Sequence, residues 1–193
     1  MHDQESSSSG EVDALLADAS LPQPIRAALQ SGVTLERIEL DAEGQWRHQG
    51  ELFEHPFLIE LFHRSIVRTS GGTYLVEIPP YAYPITVIDT PRYVRHIRID
   101  PSAQPCQIRL YLSDGSEQPL CPSSLSYVPD RGLYCHVQTS KGERLAARFL
   151  RPAYYALSEH IIDDQDAYFL QISDGKWPIP IVTHAQARLT ETR

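Results

Sequence analysis

Two histidines lie beside aromatic residues at comparable places in the chain. His48 follows Trp46 in GQWRHQG, and His136 follows Tyr134 in LYCHVQ. Both segments are predicted to be strands of hairpins. An imidazole can exchange a proton near neutral pH, and an aromatic ring offers a flat apolar face. If the two hairpins meet, these four side chains converge, so they are candidate ligand-binding residues.

Tyrosine and tryptophan are the other unusual group, with ten and two residues respectively. Tyr83 and Trp177 each precede a Pro-Ile pair, in YPI and WPI. Rings with a polar tip suit a partly wet groove, whereas the ordinary explanation of such residues is core packing. The predicted ligand-binding set is Trp46, His48, Tyr83, Tyr134, His136 and Trp177.

Sequence motifs for catalysis or metal binding are absent. The chain has no G-x-S-x-G, G-x-G-x-x-G or G-x-x-x-x-G-K-[ST] pattern, and its eight histidines form neither H-x-H nor H-E-x-x-H. The acidic run of Asp163, Asp164 and Asp166 lacks the glycine and the distal glutamate of a calcium loop. We therefore predict no catalytic residues, no metal and no cofactor.

The three cysteines, Cys106, Cys121 and Cys135, are widely spaced. They contain no C-x-x-C pair, so neither a zinc ribbon nor a thioredoxin-type redox site is indicated. We predict that they are buried or half-buried thiols in strands.

The charge of the chain excludes one class of partner. The formal net charge is −8 and there are only two lysines, so a nucleic-acid backbone would be repelled. No apolar run approaches the roughly 20 residues that a membrane helix needs. We expect a cytoplasmic protein that binds a small ligand or a peptide, with no nucleic acid and no membrane span. Homo-oligomerisation is left open.

Two segments, residues 55–87 and 151–181, share a pattern. They read HPFLIELFHRSIV then TYLVEIPPYAYPITV, and RPAYYALSEHIID then AYFLQISDGKWPIPI. With one two-residue gap, the alignment pairs Pro56 with Pro152, Leu61 with Leu157, Ile66 with Ile162, Tyr74 with Tyr168 and Tyr83 with Trp177. This pattern predicts an internal repeat.

Each repeated segment predicts a helix followed by an antiparallel hairpin. Proline suits a first helical turn, and apolar residues recur on one face, so residues 55–67 and 151–162 are predicted helices. The positions predicted to be buried are Leu58, Leu61, Phe62 and Ile66, with Glu60 and Arg64 outward. Residues 73–137 have strand patterns.

The predicted fold class is α+β, with two repeated hairpin–helix–hairpin units and mainly antiparallel sheets. The predicted divisions are 1–32 (a tail and short helices), 33–100 (first lobe), 101–183 (second lobe) and 184–193 (a tail). The serine-rich residues 1–10 are expected to be disordered.

The ordered set of segments resembles the bacterial family of unknown function DUF1285. The resemblance covers about residues 35–182 through GQWRHQG, LIELFHRSI, TYLVEIPPYAYPITVID, LYCHVQTSKGERLAARFLRPAYYALSE and SDGKWPIPI. It implies a repeated α/β unit with barrel-like sheets similar to the pleckstrin-homology type. It implies no established activity, only suggested ligand binding or signalling. Many members carry an arginine and a glycine where this chain has Gln138-Thr139-Ser140, so a ligand using that arginine would lack its partner here.

The leading hypothesis is a non-enzymatic ligand- or peptide-binding regulatory module with a groove between the repeats. The alternative is a hydrolase whose site at the inter-repeat cleft uses unlinked residues such as His48, His136 and an acidic partner. A third hypothesis is a structural subunit of an oligomer. Histidine and carboxylate groups converging in a closed pocket would favour the enzyme, and an open aromatic groove would favour binding.

Overall fold

The structure is a computed structural model that describes residues 3–100, 107–164, 167–173 and 175–189, with the backbone alone for residues 3–9. The chain divides into two compact units. The first comprises residues 1–41 and 45–88, and the second comprises residues 42–44 and 89–193.

The described ranges contain five α-helices, one 3₁₀ turn and fifteen strands. The helices are α1 (Asp3–Ala17), α2 (Gln23–Gln30), α3 (Pro56–Ser65), α4 (Arg151–Ser158) and α5 (His184–Arg188), and the 3₁₀ turn is Pro122–Ser124. The strands of the first unit are β1 (Ile38–Leu40), β2 (Trp46–His48), β3 (Glu51–Leu52), β4 (Ile66–Arg68), β5 (Tyr74–Ile78) and β6 (Tyr81–Val87). Those of the second unit are β7 (Arg92–Asp100), β8 (Gln107–Leu112), β9 (Glu117–Pro119), β10 (Ser126–Val128), β11 (Gly132–Gln138), β12 (Arg144–Phe149), β13 (Ile161–Asp164), β14 (Ala167–Ile172) and β15 (Gly175–Ile179).

Each unit contains a six-stranded sheet of the same connectivity. The orders are β3-β2-β1-β6-β5-β4 and β9-β8-β7-β12-β11-β10. Each sheet joins two antiparallel meanders, because its first strand lies parallel to its last: β1 beside β6, and β7 beside β12. The connection between the meanders is α3 in the first unit and the 3₁₀ turn in the second. The protein is therefore α+β, with two similar, mixed and mainly antiparallel sheets.

Within the described residues, neither six-stranded sheet closes into a barrel. Strands β3 and β4 are the edges of the first sheet, and β9 and β10 are the edges of the second. The sheets are open, and the likeness to pleckstrin-homology barrels stays a prediction.

The second predicted hairpin–helix–hairpin unit does not form one sheet. Its hairpin, β11–β12, lies in the six-stranded sheet, because β7 pairs with the other edge of β12. The strands after α4 form a separate antiparallel meander, β13-β14-β15. Residues 56–87 and 151–179 nevertheless share the order helix then three-stranded meander. The internal duplication of the chain stays a prediction.

Both predicted helices end earlier than expected, and a strand follows each. Helix α3 ends at Ser65 and α4 ends at Ser158, and β4 and β13 begin with Ile-Val and Ile-Ile pairs. Branched side chains at Cβ favour extended backbone, which explains both early ends. Asp163 and Asp164 therefore lie on a strand rather than at a helix terminus, and Asp166 lies outside the described residues.

The apolar face of α3 is less buried than predicted. Leu58, Leu61 and Phe62 are half-buried, whereas Ile66 is buried on β4. The fully buried side chain of the helix is His63, which is 1% exposed. Glu60 and Arg64 are exposed, as predicted.

Helix α1 begins at Asp3, so the prediction of disorder is wrong for residues 3–10, and residues 1 and 2 lie outside the described part. Once a helical turn exists, each added residue contributes one hydrogen bond. Val12 and Leu15 anchor such a turn by packing against the buried cluster that includes Leu29 of α2 and Leu75 of β5.

Asp18 fixes the helix pair to the β4–β5 turn. Its buried carboxylate accepts hydrogen bonds from Ser20 N at 2.9 Å and from the Thr69 hydroxyl. Burial raises the pKa of this carboxyl, but hydrogen bonds from Ser20, Thr69 and Thr73 outweigh burial and hold the pKa well below its ordinary value. Gly71 lies so close that a Cβ there would be 1.9 Å from Asp18 Oδ1.

Helix α5 lies in the segment predicted to be a C-terminal tail. Thr183 and Gln186 form a capping box, in which each side chain accepts a hydrogen bond from the backbone N–H of the other. The pattern T-x-x-Q is a known signal for a helix start, so this helix could have been predicted. Residues 190–193 lie outside the described part.

The cysteines occupy different environments. Cys135 is buried on β11, where burial raises the pKa of the thiol and keeps it protonated. Cys121 is exposed in the loop before the 3₁₀ turn, so the prediction is wrong for this residue. Cys106 lies outside the described residues.

Candidate functional site

A cleft of 370 Å³ opens in the first unit between the N-terminal helices and the centre of the sheet. Ile38 of β1 and Ile85 of β6 line the sheet side, and they lie close because β1 and β6 are parallel neighbours. Leu15 of α1 and Leu29 of α2 line the helix side. The lining is mixed, because polar and charged side chains lie beside these apolar ones: Glu11, Asp13, Thr34, Glu36, Arg37 and Thr86. The volume of the cleft is in the range of small-ligand sites.

Glu36 lies at the edge of this cleft and contacts two of the predicted site residues. The Tyr83 hydroxyl donates a hydrogen bond of 2.8 Å to the Glu36 carbonyl oxygen, and His48 Nε2 lies 2.5 Å from a Glu36 carboxylate oxygen. Burial, and then the charge of Glu36, raise the pKa of Tyr83, so its hydroxyl remains a donor at neutral pH. The structure thus brings His48 and Tyr83 together around a residue that the sequence analysis missed.

Trp46 and Tyr134 are core residues, with exposures of 1% and 0%. The Trp46 ring packs edge-on against Phe62 and His63, at centroid distances of 5.2 and 5.5 Å. A ligand cannot reach either ring while the core remains closed. The ligand-binding role predicted for these two residues stays a prediction.

Tyr134 belongs to a buried ionic cluster around Asp89 in the second unit. The fully buried Asp89 carboxylate accepts hydrogen bonds from the Tyr134 hydroxyl at 3.0 Å and from Arg148 Nη1 at 2.9 Å, and it lies 2.7 Å from His184 Nε2. Burial, and then the charge of Asp89, raise the pKa of Tyr134. Since an unpaired buried charge is costly, this cluster holds β11, β12 and α5 to the start of the unit.

His136 and Trp177 contact different parts of the second unit. His136 Nε2 lies 3.2 Å from the Leu189 carbonyl oxygen, and its Nδ1 lies 3.3 Å from Arg144 Nη2. The half-buried Trp177 ring covers Gly175 so closely that a Cβ there would be 1.9 Å from the ring. These contacts give Trp177 a packing role on its own strand.

The acid–histidine pairs do not extend to a nucleophile in the part of the chain that the structure describes. The hydrogen bonds of the His48 and His184 imidazoles reach Glu36 and Asp89, but no serine, threonine or cysteine side chain. Over the same described ranges, no three His, Cys, Asp or Glu side chains are placed to hold a metal ion. No described helix is both long and apolar enough to span a membrane.

The fold defines the class of protein: an α+β protein with two open six-stranded sheets of one connectivity. Comparison of the sequence with protein-family models gives no match, and comparison with curated proteins gives none either. The structure is similar to that of a DUF1285 family protein from Silicibacter pomeroyi DSS-3, with a TM-score of 0.59 and 17% identity, covering 77% of this chain and 81% of that chain.

A DUF1285 family protein from Shewanella baltica OS155 gives a TM-score of 0.48 and 15% identity, covering 64% of this chain and 91% of that one. The likeness to the Silicibacter protein shows that the chain has the fold of a DUF1285 family protein. The similarity that the sequence segments indicated therefore extends to the fold.

Proposed function

We propose that this protein is a non-enzymatic regulatory module that binds a small ligand in the cleft of the first unit. One observation carries the proposal: the cleft combines apolar side chains with polar ones, and among the polar residues Glu36 is contacted by Tyr83 and His48. Among the residues that the structure describes, its lining contains carboxylates but no histidine or cysteine. It therefore lacks the commonest catalytic base and the most reactive nucleophile, which favours recognition.

The lining also limits the chemistry of the ligand. Leu15, Leu29 and Ile38 favour an apolar body. The carboxylate of Glu36 accepts hydrogen bonds, so the polar end of the ligand should be a donor such as a hydroxyl or an ammonium group.

A thermal-shift screen of the full chain against small apolar compounds with a donor group tests this proposal. A ligand at 100 times its Kd stabilises a fold by about 2.7 kcal/mol, which raises the Tm by roughly 5–10 °C for a chain of this size. Val33 lines the cleft and is half exposed, so a larger side chain at this position should fill the cleft. Val33→Trp should abolish the shift, whereas Leu52→Trp, at a similarly exposed position outside the cleft, should retain it. Equal shifts in both variants would contradict the proposal.

Substitutions of the predicted site residues can be tested with the same thermal-shift measurement. Tyr83→Ala removes the hydrogen bond to Glu36 and should weaken ligand binding more than it lowers the Tm of the free protein. The roles predicted for Tyr134, His136 and Trp177, which belong to the second unit, stay predictions.

A hydrolase is the second candidate, favoured by the 2.7 Å contact between His184 Nε2 and the buried Asp89 carboxylate. A carboxylate that orients an imidazole is one part of a general-base system. Turnover of p-nitrophenyl acetate or p-nitrophenyl phosphate that is lost in His184→Ala would support this candidate. Turnover unaffected by that substitution, or none by the unaltered chain, would argue against it.

A further inference from the structure

Two meanders, β4-β5-β6 and β13-β14-β15, place a tyrosine at the same register beside opposite charges. Tyr74 on β5 pairs with Arg68 on β4, whose guanidinium carbon lies 5.7 Å from the ring centroid. Tyr168 on β14 pairs with Asp163 on β13. The first tyrosine therefore has a cation from its own chain, whereas the second has an acid at the corresponding position.

An open pocket of 180 Å³ lies beside Tyr168 in the second unit. Its lining residues are Tyr127, Leu133, Tyr154, Ser158, Ile161, Asp163, Tyr168 and Ile179. The Tyr127 and Tyr168 rings meet at 69°, with centroids 5.5 Å apart, and α4 supplies Tyr154 as the third ring. The pocket is thus a set of three aromatic rings from three elements, with one carboxylate.

The charge distribution around this pocket favours a cation. Among the described residues of the lining, Asp163 is the only charged one, and it forms no ion pair with any residue that the structure describes. Lys176 is held elsewhere: its Nζ lies 4.1 Å from the Phe169 ring centroid and 2.8 Å from Asp164. Phe169 and Asp164 point to the opposite face of the sheet from Tyr168 and Asp163, because successive strand residues alternate.

We propose that the tyrosine pocket of the second unit binds a methylated ammonium group of a small free molecule. Aromatic faces attract such cations, which cannot donate N–H hydrogen bonds when fully methylated and so rely on the rings. A volume of 180 Å³ suits one such group, since a cavity of about 150 Å³ accepts a molecule of benzene size. The lining residues of this pocket differ from those of the first-unit cleft, so a test of this proposal does not depend on the proposed function.

Calorimetric titration of the full chain with choline chloride, at constant ionic strength, tests the proposal. The neutral control is 3,3-dimethylbutan-1-ol, which has the shape of choline without its charge. Saturable binding of choline, at least tenfold tighter than that of the alcohol, is expected. Equal affinity for the two compounds, or no saturable binding of choline, would overturn the proposal.

Variants at residues of the pocket lining can be compared with matched variants at residues outside it. Asp163→Asn and Tyr154→Leu should each weaken choline binding at least fivefold, because they remove the charge and one ring. Asp164→Asn and Tyr81→Leu alter an acid and an exposed tyrosine outside the lining and should leave the affinity unchanged. Affinities that fall equally in the lining and control variants would contradict the assignment to this pocket.

Asp163→Arg is the sharpest variant, because it copies the arrangement of the first meander. An arginine there should cover the Tyr168 ring as Arg68 covers Tyr74, and so fill the pocket from within. Choline binding should be lost while the thermal transition remains cooperative. A folded variant that binds choline like the unaltered chain would overturn the proposal. Sedimentation with phosphatidylcholine vesicles, without binding of free choline, would overturn the assignment to a free molecule.

Discussion

The two helix–meander segments, residues 56–87 and 151–179, have closely similar strand pairing but different surroundings. Tyr74 lies opposite Ile85 across β5–β6, and Tyr168 lies opposite Ile179 across β14–β15. Strand β6 then pairs with β1 and joins a six-stranded sheet. In the described part of the chain after β15, Ile181 instead forms an isolated bridge to Tyr127 of β10. Local sequence sets the pairing of a meander, and the rest of each unit determines how it is covered.

The helices differ in the same way. Leu61 of α3 and Leu157 of α4 are paired in the sequence alignment, yet Leu61 is half-buried and Leu157 is 0% exposed. The apolar face of α4 is therefore more completely covered than that of α3. Burial, rather than residue type, should decide how much each leucine stabilises its unit.

The largest expected effect is the loss of stability when the buried leucine of α4 is replaced, compared with the half-buried leucine of α3. Leu157→Ala should cost roughly 2–5 kcal/mol of unfolding free energy, because it leaves a cavity in a closed core. Leu61→Ala should cost less, because solvent already reaches part of that side chain. Urea denaturation of both variants measures the difference. Equal losses would show that the two helices are covered alike.

Asp18→Asn should have the next largest effect, since it removes an anchor of the first meander alone. We expect a loss of about 1–3 kcal/mol at pH 7, from weakened charge-assisted hydrogen bonds to Ser20 and Thr69. Hydrogen exchange should speed up in β4–β5 and not in β13–β14. Equal acceleration in both meanders would contradict this separation.

The Asp18 carboxyl also predicts a pH dependence. Its pKa in the fold lies below the ordinary value of 3.8, so its contribution to stability is present above about pH 4 and is lost as the pH falls further. Urea midpoints between pH 7 and pH 3 should fall less steeply for Asp18→Asn than for the unaltered chain. Parallel pH profiles would mean that other carboxylates dominate.

The smallest expected effect is the loss of one cation–π contact from each meander, that of Arg68 with Tyr74 or that of Lys176 with Phe169. Arg68→Gln should cost about 0.5–1 kcal/mol, the usual size of an accessible cation–π contact. Lys176→Gln, which removes the cation over Phe169 in the second meander, should cost a similar amount. Denaturation midpoints in low and high salt check both values. An unchanged midpoint for Arg68→Gln would show that this ring contact is energetically neutral.

His48 became a candidate through its local pattern, as a strand histidine beside Trp46 in GQWRHQG. It contacts Glu36, and its role in ligand binding stays a prediction. Asp89 and His184 were missed, because they are 95 residues apart and only folding brings them to hydrogen-bond distance. The three tyrosines of the proposed cation pocket come from β10, α4 and β14, and no spacing in the sequence links them.

The sequence by itself determined the α+β class, the start of α3 at Pro56, the start of α4 at Arg151 and the antiparallel hairpin that ends each segment. These follow from local propensity, period and turns, which act over a few residues. Only the tertiary structure decided that β1 lies beside β6 and β7 beside β12, that Trp46 is core, and that Tyr168 faces an open pocket. These depend on contacts between distant residues, whose burial is shared by the whole unit and is not encoded at any single position.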